Sequence, residues 1–258
     1  MNVFFSATGH HQPPRYGRVS TIVGHVIATL SFLALFPGIA AAERLVYDLT
    51  WTGIKAGTAT QELLQEKDSM KIISTARSAD WISVFFPVED RVVSILSKGT
   101  SLHLGLPRDF RMTISEGHHR RDREIIFDHA RKKALFIDHR GGERKEVDIE
   151  SNTYDAYSSF YYLRNLDLIP GKSVYVSMLD NKDLYNVEVQ VLRKERIKTI
   201  LGEVNTILIK PIMKTEGIFN RKGAIYIWLT DDARRIPVLM KTKVAIGSIT
   251  ATLVEVTK

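Results

Sequence analysis

RKGAIYIWLTDDARRIPVLMKTKVAIGSITATLVEV, residues 221–256, sets the fold class because its periodicity, its turns and its composition agree. Ala224, Tyr226 and Trp228 alternate with Ile225, Ile227 and Leu229, the period of two that sends successive side chains of a strand to opposite faces. Residues 230–234, TDDAR, are polar and turn-forming, since Asp carboxylates bond nearby backbone N–H groups in competition with a strand ladder. A second strand spans 236–244, Gly247-Ser248 closes it, and 249–256 reads as a third. The three form an antiparallel meander. Pro237 lacks a ladder donor and is expected at an edge or a bulge.

The same pattern extends backward along the chain. Leu45, Tyr47, Leu49 and Trp51 alternate with polar residues, and Gly53 and Gly57 punctuate the strand as a turn or bulge. Further strands are predicted over 58–64, 70–77, 91–97, 101–106, 111–116, 123–129, 132–138, 173–178, 185–192, 197–200 and 204–212, with a turn at 107–110. Residues 80–87, DWISVFFP, break the alternation. Ile82, Phe85 and Phe86 sit at helical spacing before Pro87, which predicts one or two helical turns with an aromatic face. The longest predicted helix is 155–166, DAYSSFYYLRNL, with residues 151–153 offering N-cap groups and Pro170-Gly171 ending it. Many strands against two short helices, without strand–helix alternation, is a mainly β, antiparallel α+β pattern. A sheet this long twists and curls, so the expected architecture is a strongly curved antiparallel sheet or open barrel packed on one or two short helices.

The N-terminus carries the compartment signal. Arg15 and Arg18 precede a short apolar run, VIATLSFLALF at 26–36, then Pro37-Gly38 and the small residues before Glu43. That is the layout of a secretory signal peptide, residues 1–42, cleaved after Ala42, and the run is too short to span a bilayer. The expectation is one β-rich domain over 43–258, acting in the periplasm with no transmembrane segment once the signal is gone. The absence of Cys excludes disulfides, thiolate chemistry and a lipidated N-terminal Cys, so the protein is not expected to be a lipoprotein. Loss of Arg15 and Arg18 lowers the formal charge of the 258-residue chain from +7 to +5, mildly basic; export argues against nucleic acid as a partner.

The stretches LVYDLTWTGIKAG, PRDF, YDAYSSFYYLR and IYIWLTDDARRIPVLM…AIGSITATL resemble the exported bacterial family of unknown function numbered 3108. The likeness spans 43–258 and is most specific at the Gly57 turn, the helix at 155–164 and the hairpin at 228–238. It implies an exported β-rich domain and carries no activity with it. At the level of fold alone, the expected curl is similar to the half-barrels of lipoprotein carriers, an analogy that does not transfer function.

Two sets of residues are candidate sites. A concave face lined by Tyr47, Trp51, Tyr226 and Trp228, with Tyr157 and Tyr161 from the helix, would hold an acyl chain. Arg120, Arg121, Arg123, Arg131 and Arg140, on successive predicted turns, would meet the anionic headgroup of a lipid or an acidic envelope glycan if the turns share one end of the sheet. The plainer alternatives are a helix packed on its sheet and charges that guard strand edges.

Catalytic signals are sparse. His118 and His119 would point to opposite faces of a strand, Ser158-Ser159 has no His near it in sequence, Asp231-Asp232 suits a turn, and Gly141-Gly142 reads as a hairpin. No cofactor or metal is implied. The leading expectation is a periplasmic binding protein for a hydrophobic or amphiphilic envelope molecule. The alternatives are an envelope scaffold without a ligand, marked by a filled core and an exposed apolar patch, and an enzyme on envelope glycan or lipid.

Overall fold

The structure is a computed structural model that describes residues 41–99, 104–212, 224–243 and 247–257. The expected leader lies outside these residues except for the backbone of Ala41 and Ala42. In chain order the elements are β1 (Ala41–Trp51), β2 (Ile54–Gln65), β3 (Ser69–Ser78), α1 (Asp80–Ser83), β4 (Glu89–Ser97), β5 (Pro107–Glu116), β6 (His119–Asp128), β7 (Lys133–Asp138), β8 (Arg144–Asp148), α2 (Ala156–Leu163), β9 (Ser173–Asp180), β10 (Asp183–Thr199), β11 (Gly202–Ile212), β12 (Ile225–Thr230), β13 (Pro237–Lys243) and β14 (Ser248–Thr257). They form one antiparallel sheet in the order β8-β7-β6-β5-β4-β3-β2-β1-β14-β13-β12-β11-β10-β9.

The order has a physical consequence. β1 and β14 pair at the middle of the sheet, with Tyr47 opposite Leu253. Strands outward from β1 therefore run to β8 and strands outward from β14 run to β9. The two outermost strands are consecutive in the chain, so residues 149–172, which include α2, must pass across the concave side. The sheet curls until one edge overlaps the other half. Leu179 of β9 is buried in one cluster with Val92 of β4, Phe110 of β5, Ile125 of β6 and Phe136 of β7. Arg123 bonds Asn181, and Lys182 reaches Glu143 at 2.7 Å, tying the β9–β10 turn to the far half. β8 and β9 share no ladder, so the sheet is curved and open.

Local chemistry accounts for the departures from simple alternation. Pro237 sits opposite a bulge between Trp228 and Leu229, which meets its missing donor. Gly57 lies beside a bulge of β2 at Ala56, opposite Leu49 and Thr50, and a Cβ there would stand 2.3 Å from the Arg77 carbonyl oxygen. Several sequence expectations need correction. Residues 107–110 begin β5 instead of turning, with Arg108 bulged out of the ladder where the strand faces Ile95 and Leu96. The strands expected at 185–192 and 197–200 are one strand, β10, bent by a bulge between Val191 and Arg193. Charged residues 144–148 form the edge strand β8. Part of the strand expected over 101–106 lies outside the described residues, and 104–106 are irregular.

Leu179→Ala should open the overlap and cost roughly 2–5 kcal/mol in urea unfolding, the range for emptying a buried leucine site. Val254→Ala, at a side chain 40% exposed, should stay within about 0.5 kcal/mol. Equal, small losses at both positions would show that the overlap does not hold the fold.

Candidate functional site

The concave face is occupied by α2. Asp155, not residues 151–153, is its N-cap: the carboxylate accepts from the N–H groups of Tyr157 (2.9 Å) and Ser158 (3.0 Å) and from the hydroxyls of Ser158 and Ser94 (both 2.6 Å). Burial nevertheless raises the Asp155 pKa, outweighing those four donors, which pull it down. At the other end of the helix, Arg164 donates to both Glu43 oxygens at 2.7 Å and to the Arg234 carbonyl at 2.9 Å, and its guanidinium lies 4.8 Å from the centre of the Tyr161 ring. Tyr47 donates to the Pro237 carbonyl at 2.9 Å, and burial, with Tyr161 beside it, raises its pKa well above the ordinary value.

Beyond Arg164 a shallow cleft of about 260 Å³ opens between residues 164–167 and the β12–β13 turn. Its charges are committed. Asp231 pairs with Lys194 at 2.6 Å and Arg235 at 2.8 Å, which hold its pKa down, and Asp232 accepts from the Thr230 hydroxyl and two turn N–H groups. The Asp-Asp pair performs turn chemistry, as its composition predicts. Among the described residues no three His, Asp or Glu side chains are placed to hold a metal ion.

The six aromatic candidates divide between places. Tyr47 and Tyr161 are fully buried, and Tyr157 packs 6.5 Å from Phe110. Trp228 and Tyr226 alternate with the buried Ile227 and Leu229 and so stand on the other face of β12, under Lys241 and Lys210 respectively; the Trp228 indole donates to Glu195. Trp51 is exposed at the end of β1. With α2 in place they do not line one open groove.

The basic candidates also divide. Arg120 and Arg121 follow the β5–β6 turn and Arg140 lies in the β7–β8 turn at the same end, whereas Arg131 lies in the β6–β7 turn at the opposite end, roughly 30 Å away at a strand's rise per residue. Arg123 is engaged within the fold by Asn181 and by Asp138.

The prominent surface feature is one whose role the sequence pattern concealed. Residues 80–87 are expected to make one or two helical turns with an aromatic face; α1 does turn, and it buries no residue. Phe85 is 83% exposed and Val84 76%, and Trp81, Phe86 and, from the adjoining β1–β2 turn, Ile54 and Trp51 are exposed with them. This end is firmly built. The Trp81 indole donates to the Lys55 carbonyl at 2.9 Å, Ala79 N–H to Ala56, and Gly117 N–H to Pro87 at 2.8 Å. Ser78 accepts from Val88 N–H and shares a 2.7 Å bond with Ser83. The signal available in sequence was the lack of any polar side chain from 84 to 86, where a loop ordinarily has several.

The sequence model of a family described as "Protein of unknown function (DUF3108)" matches residues 46–254. The chain belongs to this family. No curated protein matches it. Among solved structures, the beta-barrel-like protein of domain of unknown function DUF1849 from Brucella abortus is similar at 10% identity, with 84% of this chain and 97% of that one covered and a TM-score of 0.57, a likeness of fold alone. A Bacteroides fragilis protein with a YmcC-like fold is aligned at 13% identity over 85% of this chain and 97% of that one, with a TM-score of 0.37. In this DUF3108 chain, two of the stretches that carry the family resemblance meet: Arg164 ends the helix and bonds the 228–238 hairpin through Arg234. Among the described residues no helix is long and apolar enough to cross a membrane.

The buried cap makes a pH prediction. With its native pKa raised above the usual 3.8, Asp155 releases its proton at lower pH in the unfolded chain than in the folded one. Its contribution is full below the unfolded value and declines as pH rises through the native pKa. The stability difference between Asp155→Asn and the wild type should therefore move in favour of the variant as pH rises above about 4, then level off. Urea melts across pH that give a constant difference would contradict the raised value.

Proposed function

We propose that this DUF3108 protein is an exported docking protein of the bacterial envelope, whose working surface is the aromatic end of the sheet around residues 81–86. It engages an apolar or amphiphilic surface outside itself instead of enclosing an acyl chain. One observation carries the reading: a loop fixed by hydrogen bonds to two neighbouring turns holds Val84 and Phe85 away from the protein, while the concave side is filled by α2. Large apolar side chains clustered on a rigid surface mark interaction sites. Trp, with an apolar body and a polar N–H, suits a boundary between apolar and aqueous phases. Export rests on the basic, apolar and small-residue layout of 1–42, cleaved after Ala42, and places the surface in the periplasm.

Neutral alkyl-maltoside micelles test this directly. Titration should shift the tryptophan emission to the blue, because Trp51 and Trp81 flank the exposed loop. Val84→Ser/Phe85→Ser should raise the midpoint at least about tenfold without changing the melting temperature, since both side chains are exposed. An unresponsive wild type, or a variant that responds equally, would remove the aromatic end as the working surface.

A further inference from the structure

We infer that the surface met by the aromatic end is a phospholipid bilayer, with Trp81, Phe85 and Phe86 entering the interfacial layer and Arg120 and Arg121 resting on headgroup phosphates. The inference rests on the docking reading above and names its partner.

Shape is the first argument. The exposed apolar side chains come from the α1 segment and the adjoining β1–β2 turn, and they protrude as a knob. A bilayer needs no complementary recess, only a few side chains that reach its interfacial layer, where aromatic residues with an apolar body are favoured. A second copy of the chain is a poor receptor: the cleft at the opposite end is lined mainly by charged and polar residues, with only Leu166 and Ala233 apolar.

Charge is the second. The Phe86 ring lies against Gly117, where a Cβ would come within 2.7 Å of it, and Gly117 N–H donates to the Pro87 carbonyl. The aromatic loop and the β5–β6 turn are thus one rigid unit. On that turn the Arg120 guanidinium donates to the carbonyls of Gly117 (2.6 Å) and His119 (3.0 Å), and Arg121 donates to the His119 ring at 2.6 Å. Among the described residues neither arginine forms an ion pair with a carboxylate. Of the nearby carboxylates, Glu89 pairs with Arg77 and Asp48 with Lys55, while Asp90, bonded to the N–H of Ser115, also feels the charge of Arg121. Two guanidiniums beside an aromatic knob, neither drawn into an ion pair, match a surface of phosphate groups over hydrocarbon.

Vesicle flotation of the purified protein, on phosphatidylcholine alone and on a phosphatidylcholine–phosphatidylglycerol mixture, is the test. The wild type should float with both and bind the anionic mixture more tightly, with Trp81 emission blue-shifted and shielded from iodide. Val84→Ser/Phe85→Ser should lose binding to both. Arg120→Gln/Arg121→Gln should lose about ten- to thirtyfold, mainly on the anionic mixture, as expected for two basic residues near a charged surface. Circular dichroism and melting temperature check that both variants fold. Micelle binding without vesicle binding overturns the bilayer and leaves the docking reading standing; failure of both overturns both. Vesicle binding that survives the apolar substitutions and vanishes with the arginines is charge adsorption alone and also overturns the inference.

Discussion

An eight-residue helix in water is far too short to persist alone, yet α2 is the element on which three of the four clusters of the interior converge. What seats it is a polar anchor at each end. The Asp155 carboxylate joins the helix N-terminus to Ser94 of β4, and Arg164 joins its C-terminus to Glu43 of β1. Both lie in an otherwise apolar interior, where burying charge costs several kcal/mol per ion before compensation. Such groups add little net stability; they make most other seatings worse, because a shifted or rotated helix would leave a charge unpaired. The aromatic side chains between the anchors then fill space whose position is already set. Tyr157 reaches the β4–β7 half, Tyr161 packs with Ile72 and Leu96, and Leu163 joins the β9–β12 half.

The strand order explains why so small a helix governs so large a sheet. β1 and β14 are separated by almost the whole described chain yet are neighbours at its centre, while the consecutive β8 and β9 are its two edges. Hairpins build both wings locally, but their union through β1 and β14 requires a loop closure of very high sequence separation, the slow kind of contact. The α2 segment contacts both wings and shortens that search. Glu43, near the start of β1, completes the arrangement by receiving Arg164 beside the hairpin that precedes β14 in the sheet.

Much of this architecture is legible in the alternation of side chains. β1, β2, β3, β12, β13 and β14 follow it closely, and Pro237 and Gly57 announce their bulges because their backbone requirements are local. The errors occur where a distant contact outweighs a local preference. Pro107 reads as a turn but begins a strand, because pairing with β4 is kept by letting Arg108 bulge out beside it. Residues 144–148 form a strand that alternation does not reveal, because an edge strand with charged side chains has no apolar face to announce it. Helical spacing at 82–86 predicts the turns and their aromatic face but not its exposure, since periodicity reveals which side chains share a side and never whether another element covers that side. The same blindness scattered the candidate sites. Alternation placed Tyr226 and Trp228 together correctly, but it took a three-dimensional strand order to show that Tyr47 lies opposite them, in the interior.

The chain's treatment of its own edges bears on the exposed aromatic end. β8 presents Arg144, Lys145 and Glu146 along its edge, with Lys133 bonded to Glu146 and Asp148. β9 is covered on its open side by Tyr154, which bridges to Met178. These are the places where an open sheet would recruit another strand, and each is blocked by charge or by the chain itself. The aromatic end received no such protection. Val84 and Phe85 stay exposed on a loop whose backbone is fixed by neighbouring turns, with no charge or covering segment over them, a placement that fits the docking surface proposed above.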